Sequence, residues 1–299
     1  MINQNLPLVS VAVITYNQKI FLKECIDSIL IQDYQNLEVV ISDDASTDGT
    51  KEMLREYEQR YSGKFILKFA ENNQGITANS NVANSACTGK YIAWMGGDDL
   101  MLPGKISKQV KFMEENPGCT ICYHDLDVFD SDTNKTLYLF SKKNKPREGD
   151  VRVSIKHGVF NGACSSMVRR NQTPTEGYNR LLPVASDWLY WVESLANGGS
   201  INYINEVLGR YRRHSDNVTN KKIGMGKNTV DHFNSCSFML SKYPEYFAEI
   251  IYYYGILIRT QRHNLPYFSS LIACFKLTYD IKSLAAILIF CLTLGFVKI

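Results

Sequence analysis

The chain has 299 residues, enough to bury the core of one large α/β domain or of a domain with an appendage. Apolar residues make up 45% and charged residues 21%, which excludes a disordered chain. The 33 basic and 30 acidic residues nearly cancel to +3, so there is no general electrostatic case for nucleic acid.

The first half punctuates itself regularly. Residues 8–15 (LVSVAVIT) are a β-branched run closed by Tyr16 and Asn17. Over 19–32, Phe21, Leu22, Cys25, Ile26, Ile29 and Leu30 fall at helical spacing. Strand 37–42 is broken by "DDASTDGT", a helix follows through Tyr61, and 65–69 is again strand-like. The turn cluster "NNQG" precedes a helix over 76–86 and a strand over 91–95; Pro103 then opens a helix through Glu115. This alternation predicts a mostly parallel sheet with helices on both faces. Such sheets bind ligands beyond the carboxyl ends of their strands. That rule gathers Thr15, Tyr16 and Asn17, then Asp43 and Asp44, then Gly96, Gly97, Asp98 and Asp99, on one rim.

After Cys122 the pattern loosens. Residues 123–156 read as strands or loop with a basic insertion, and 157–170 as strand-like. Residues 188–195 read as a helix with Asp187 at its amino end, which predicts that the charged form of Asp187 is favoured. A short strand at 201–207 precedes the basic cluster 210–214, which, like 142–147, reads as a solvated face. From about 226 onward everything reads as helix. Most of the eight cysteines lie in apolar contexts. Cys119 and Cys122 have metal or redox spacing, but positions i and i+3 of a strand face opposite ways, and no second pair accompanies them. They read as reduced thiols of a cytosolic protein.

No signal peptide is visible at the start. Residues 283–297 carry no charge but fall short of the roughly 20 residues of a spanning helix. They suit a buried terminal helix or a segment at one membrane leaflet. The surrounding Tyr252, Tyr253, Tyr254, Arg259, Arg262, Lys276, Lys282 and Lys298 suit a membrane interface; a dimer interface or ordinary core is the alternative.

Adjacent aspartates repel unless a cation compensates, and oxygen ligands suit Mn²⁺ or Mg²⁺ shared with substrate phosphates. Glycines let a ligand approach the backbone. No Gly-x-Gly-x-x-Gly follows the first strand, and the chain has no Gly-x-x-x-x-Gly-Lys-Ser/Thr. The rim therefore suits a nucleoside diphosphate held by aspartates and a metal. The plain alternative for each motif is a turn, with Asp48 or Thr50 capping the next helix.

Four pieces in order, residues 11–50, 72–110, 186–192 (SDWLYWV) and 211–219 (YRRHSDNVT), resemble the inverting nucleotide-sugar glycosyltransferases of family 2, with the GT-A fold. The resemblance covers roughly residues 8–219. It implies an α/β GT-A fold with a Rossmann-like, mostly parallel central sheet flanked by helices. The GT-A domain would occupy 1–220, with a nucleotide-binding half (1–122) and an acceptor-binding half (123–220). A helical region, open to membrane association, would occupy 221–299.

The resemblance also implies roles. Thr15, Tyr16 and Asn17 would line the nucleotide pocket with Asn79, and Asp44, beside Asp43, would accept from the base imide. The family carries Asp-x-Asp where this chain has Gly96-Gly97-Asp98, so the first aspartate is missing. Asp98 would ligate Mn²⁺ or Mg²⁺, with Asp99 supporting it or contacting the sugar. Asp187 would be the catalytic base, Arg213 would meet the diphosphate, and His214 would join it there or ligate the metal.

The implied reaction is inverting transfer of a hexose or N-acetylhexosamine, UDP-linked by family frequency, to a glycan or lipid-diphosphate-linked acceptor. It would serve assembly of bacterial surface polysaccharides such as O-antigen and lipopolysaccharide. It would run in the cytoplasm at the inner face of the plasma membrane, with room for peripheral membrane contact or a homo-oligomer. The competing reading is a degenerate GT-A scaffold, marked by Gly96.

Overall fold

The computed structural model describes residues 6–215, 217, 226–293, 295 and 297–298. The first half alternates β1 (Val9–Thr15), α1 (Lys19–Leu30), β2 (Leu37–Asp43), α2 (Thr50–Arg60), β3 (Phe65–Phe69), α3 (Ile76–Ala86) and β4 (Tyr91–Gly96). β1 and β2 are almost wholly buried, and apart from Ser10, Glu38 and their polar carboxyl ends they are apolar, as suits strands covered on both faces. β1 pairs in parallel with β2 and β4, and β2 with β3; Thr15 registers on Asp43 and Ile14 on Gly96. The carboxyl ends of three strands thus stop at one level. Beneath them Leu22, Cys25, Ile26 and Ile29 of α1 share a core with Val11, Val13, Val39 and Ile41. Each such aliphatic side chain contributes on the order of 1.5–3 kcal/mol.

The second half adds β5 (Leu100–Met101), α4 (Lys105–Glu115), β6 (Cys119–Asp130), β7 (Thr136–Leu139), α5 (Phe140–Lys143), α6 (Val151–His157), β8 (Met167–Arg169), α7 (Asp187–Ala196) and β9 (Ser200–Arg213). The sheet runs β3-β2-β1-β4-β8-β6-β9-β5, with β7 on β6. β8 is antiparallel to β4 and β6, so the parallel half passes into a mixed half.

Here the chain departs from its pattern. β6 carries His124, Asp125 and Asp127, polar residues in a stretch that reads as strands or loop, and it is a strand of 12 residues. Tertiary partners hold it: Asp125 accepts from the backbone N–H and hydroxyl of Ser141 (2.9 and 2.5 Å), and Asp127 pairs with Arg210 Nε at 2.7 Å. The short strand expected at 201–207 runs on to Arg213 as β9, paired in parallel with β6. Of the strand-like stretch 157–170 only Met167–Arg169 is strand: His157 ends α6, Ala163–Ser165 form a 3₁₀ turn, and the residues between them are loop.

Two compact units divide the chain. The first comprises Met1–Ser154 and Val159–Asn217, and the second Ile155–Gly158 and Val218–Ile299. The second is built of α8 (Lys227–Lys242), α9 (Phe247–Thr260), α10 (Tyr267–Thr278) and α11 (Ile281–Leu292). α9 meets α10 at Gly255, where a Cβ would lie 2.5 Å from Thr278 Cγ2, so only glycine permits that approach. Among the described residues no helix is long and apolar enough to cross a membrane.

Candidate active site

The site begins where β4 ends. The Gly97 N–H donates to Ile14 O at 2.9 Å and the Asp99 N–H to Gly96 O at 3.2 Å, which folds the turn onto the tip of β1. A Cβ on Gly97 would lie 3.0 Å from Thr15 Oγ1 and 3.1 Å from Ile14 O; on Gly96 it would lie 2.7 Å from Asp98 Oδ1. The two glycines let this turn close against β1, and the Asp98 carboxylate occupies the space a side chain at 96 would need.

Asp98 Oδ2 lies 3.0 Å from His214 Nε2 and accepts from Asn217 Nδ2 at 3.1 Å. The Asn217 amide oxygen in turn accepts from the His214 N–H at 2.7 Å. Asp99 points inward: it is buried, and its Oδ1 accepts from the Arg212 backbone N–H at 3.0 Å. Burial first, and Asp98 second, push its carboxyl well above the usual range. The buried Lys105 ammonium donates to Cys164 O at 2.7 Å, and burial holds it down to about 8.

Arg212 ties these strands together. Its Nε donates to Asp98 O at 2.7 Å, its Nη2 pairs with Glu24, and its guanidinium stacks on Phe21 and Phe129 at 4.7 and 4.8 Å. The cluster 210–214 is therefore no solvated face, since Arg210 and Arg212 are committed to partners within the fold. Arg213, the basic residue singled out from the motif, approaches the Tyr211 ring at 5.8 Å.

On the opposite side of the rim, loops cross-tie. Asn17 and Ala45 both take positive φ, 51° and 64°. The Asn17 N–H donates to Ser46 Oγ at 2.7 Å, and its side-chain oxygen accepts from the Thr47 N–H at 2.8 Å. Asp43 holds Ser46, and burial raises its carboxyl. Asp44 accepts from the N–H groups of Gln74 and Gly75, both at 2.8 Å. The buried Asn79 amide donates to Thr15 O (3.2 Å) and Ser42 O (3.1 Å), pinning two strand ends. Tyr16 is exposed, whereas Thr15 Oγ1 is buried without a hydrogen-bond partner. Beside Asp44 opens a cavity of about 300 Å³ lined by Ser42, Phe69, Asn72, Gln74 and Asn79 among others.

Asp187 opens α7, and its Oδ1 accepts from the Trp188 N–H at 2.9 Å. The expectation that the helix end favours its charge does not hold, because burial outweighs the helix N–H and raises its carboxyl above the ordinary value. Thr77 of α3 holds the preceding loop, donating to Leu182 O at 2.5 Å and meeting Ser186 Oγ at 2.8 Å. One helix, α3, thus positions the Asp187 loop through Thr77 and the strand ends through Asn79. Trp188 and Trp191 are wholly buried and present no platform to a ligand.

The profile of Glycosyl transferase family 2 matches residues 10–172. The chain belongs to that family. Over 211 residues it is 33% identical to an uncharacterized protein of Mycobacterium tuberculosis, a match that takes in 70% of this chain and spans 60% of that relative's length. TuaG of Bacillus subtilis, provisionally named as a glycosyltransferase of teichuronic acid biosynthesis, is 27% identical over 75% of this chain and 86% of its own. Two solved structures share the fold. One is S. aureus TarS 1–349 in complex with UDP-GlcNAc (TM-score 0.65, 15% identity, 97% and 93% of the two chains). The other is the mannosyltransferase PcManGT of Pyrobaculum calidifontis in complex with GDP-Man and Mn²⁺ (0.64, 20%, 99% and 82%).

For a family 2 glycosyltransferase the rim now has named partners that the sequence did not flag. Arg212 was masked by its neighbour Arg213, and alternation along β9 was the available signal. Asn217 lay without an assigned role within the 211–219 piece, of which Asp216, Val218 and Thr219 lie outside the described residues. Among the described residues no group of three or more His, Cys, Asp or Glu is poised to hold a metal. What the rim offers is a pair, one carboxylate and one imidazole, both largely buried. The carboxylate suits Mn²⁺ or Mg²⁺ when phosphates and water complete the shell, and the imidazole favours Mn²⁺ of the two.

Proposed function

We propose that the chain transfers a hexose or N-acetylhexosamine, with inversion, from a nucleotide sugar to a hydroxyl of a glycan or lipid-linked saccharide. The observation that carries this reading is the Asp98–His214 pair, 3.0 Å apart at the rim of the parallel sheet. In this reading the nucleotide-binding half, 1–122, supplies Thr15, Tyr16, Asn17, Asp43, Asp44 and Asn79. The cavity beside Asp44 takes the base, and each Asp44 oxygen keeps a lone pair for the imide N–H. Asp98 and His214 hold Mn²⁺ or Mg²⁺, Asp99 braces the turn, and Arg213 meets the diphosphate. When bound, the ion offsets charge growing on the departing diphosphate.

Asp187, from the acceptor-binding half, 123–220, takes the proton of the acceptor hydroxyl. The hydroxyl oxygen bonds to the anomeric carbon from the face opposite the leaving group, and the carbon–oxygen bond to the diphosphate breaks. Its burial at the start of α7 raises the Asp187 carboxyl and so makes it a stronger base toward a hydroxyl. The UDP-GlcNAc and GDP-Man of the two neighbours support a nucleotide-sugar donor, and the Mn²⁺ supports a metal; UDP is favoured by family frequency alone. TuaG, named for teichuronic acid biosynthesis, supports a polysaccharide acceptor; in this reading the acceptor is met at the cytosolic face of the plasma membrane.

Calorimetric titration of UDP, dTDP and GDP, each with Mn²⁺ or with EDTA, into wild type and Asp98→Ala tests this. Metal-dependent binding of one nucleotide, lost in the variant, is expected; a donor-sugar screen read by the anomeric configuration of the product follows. If no nucleotide binds under any condition, the scaffold reading replaces this one.

A further inference from the structure

The last helix of the second unit is amphipathic in an inverted sense. α11 buries its small residues, Ser283 and Ala286, with Ile287 and Phe290 packed against Tyr267 and Leu271 of α10. Its opposite side exposes the large ones: Ile281 (77%), Leu284 (37%), Leu288 (53%) and Leu292 (83%). Steps of three, four and four residues set these four in one stripe along the helix. A helix side that faces water is ordinarily polar. Tyr279, 80% exposed, stands just before the stripe with φ +51°, a backbone position that favours glycine or asparagine.

We infer that this stripe docks on an anionic lipid bilayer, with α11 lying in the plane of the interface. Charge selects the partner. Between residues 262 and 298 the basic residues are Arg262, Lys276, Lys282 and Lys298, and the one acid is Asp280. Asp280 is already engaged by Arg259 and by the Ser283 N–H at the start of α11. Lys276, Lys282 and Lys298 are exposed, and Lys282 sits on α11 at the margin of the stripe. An apolar stripe margined by lysine, with an exposed tyrosine at one end, is the pattern of an interfacial helix. The 12 residues of α11 reach about 18 Å, short of a hydrocarbon core of about 30 Å, so the helix lies on the membrane and does not cross it. A second copy of the chain on this stripe would set one basic margin against an identical one. The inference is independent of the catalytic reading, since it concerns binding alone.

The test is flotation of the full chain with vesicles of phosphatidylcholine alone and of phosphatidylcholine mixed with phosphatidylglycerol. Wild type floats with the mixed vesicles, and added salt weakens the association. A Leu288→Gln, Leu292→Gln double variant keeps the wild-type melting curve, because both side chains face solvent, and its partition falls about tenfold. Tyr279→Asn, which suits the local backbone, falls in the same direction. Equal partition of wild type and the double variant overturns the inference, as does equal binding to both kinds of vesicle. Sedimentation velocity that finds wild type dimeric and the double variant monomeric overturns it in favour of a second copy.

Discussion

His214 Nε2 and Asp98 Oδ2 face each other at 3.0 Å across 116 residues of chain, with the Asn217 amide fastening both. An imidazole and a carboxylate so placed share one proton or one cation. His214→Ala should weaken Mn²⁺-dependent nucleotide binding about 10- to 100-fold while leaving metal-free binding near wild type. Titration of the wild-type nucleotide in Mn²⁺ and in EDTA reads this directly. Unchanged Mn²⁺ dependence would remove His214 from the metal.

Asp187→Asn keeps the shape and the Trp188 contact but cannot take a proton. Turnover should fall about 10²- to 10⁴-fold with donor affinity preserved. The wild-type acid limb carries a second signature. A raised carboxyl holds its proton to higher pH than the ordinary aspartate value of about 3.9, so turnover is lost earlier as pH falls. A pH–rate profile whose acid limb lies at or below that ordinary value would contradict the assignment.

Restoring the family's aspartate at position 96 is informative because the space is taken. A Cβ there meets Asp98 Oδ1 at 2.7 Å, and a third carboxylate would join Asp98 and Asp99. Gly96→Asp should lower stability in EDTA by about 1 kcal/mol, or roughly 2–4 °C in melting temperature. Mn²⁺ should then raise its melting temperature more than it raises that of wild type. A variant that melts like wild type in EDTA would show that Asp98 moves aside at no cost.

The buried thiols set an alkaline limit. Burial raises Cys25, Cys87, Cys119, Cys122, Cys164 and Cys236 above the ordinary thiol value of 9.0. Below 9 folded and unfolded states both hold these protons, and stability is intact. Above 9 the unfolded state releases them first, so the folded state loses about 1.4 kcal/mol per thiol per pH unit. Lys105, held down to about 8, works in the opposite direction, but it is one group against six. Melting temperature should fall steeply between pH 9 and 10 in a reducing buffer, and a flat profile there would mean that the thiols are solvated.

The first half was legible because local pattern and tertiary role agree there. The runs that became β1, β2 and β4 are apolar for the same reason that they are central, and "YIAWMGGDD" announces a turn at a strand end. The second half was less so, because its polar residues take distant partners. Asp125 and Asp127 leave strand and loop equally open until Ser141 and Arg210 are seen to answer them. Arg212 and Arg213 look alike on paper, yet the backbone of β9 turns Arg212 inward, onto Glu24 and the Asp98 carbonyl. Asp187 was placed correctly at a helix start, but its burial depends on Thr77 and the loop it holds, which no local pattern reports.

The long reach from Asp98 to His214 also bears on how the protein comes into being. The β1–α1–β2 and β2–α2–β3 segments close short loops and can form early, whereas β9 must come back to β5 and β6 from far along the chain, Arg210 registering on Leu100. Closing that longest loop is the slow step of such a topology. The nascent chain therefore carries a half-built rim, aspartates without their histidine, until about two thirds of it has been made. Completion of the sheet and completion of the site are one event, so a chain stalled partway holds no Asp98–His214 pair.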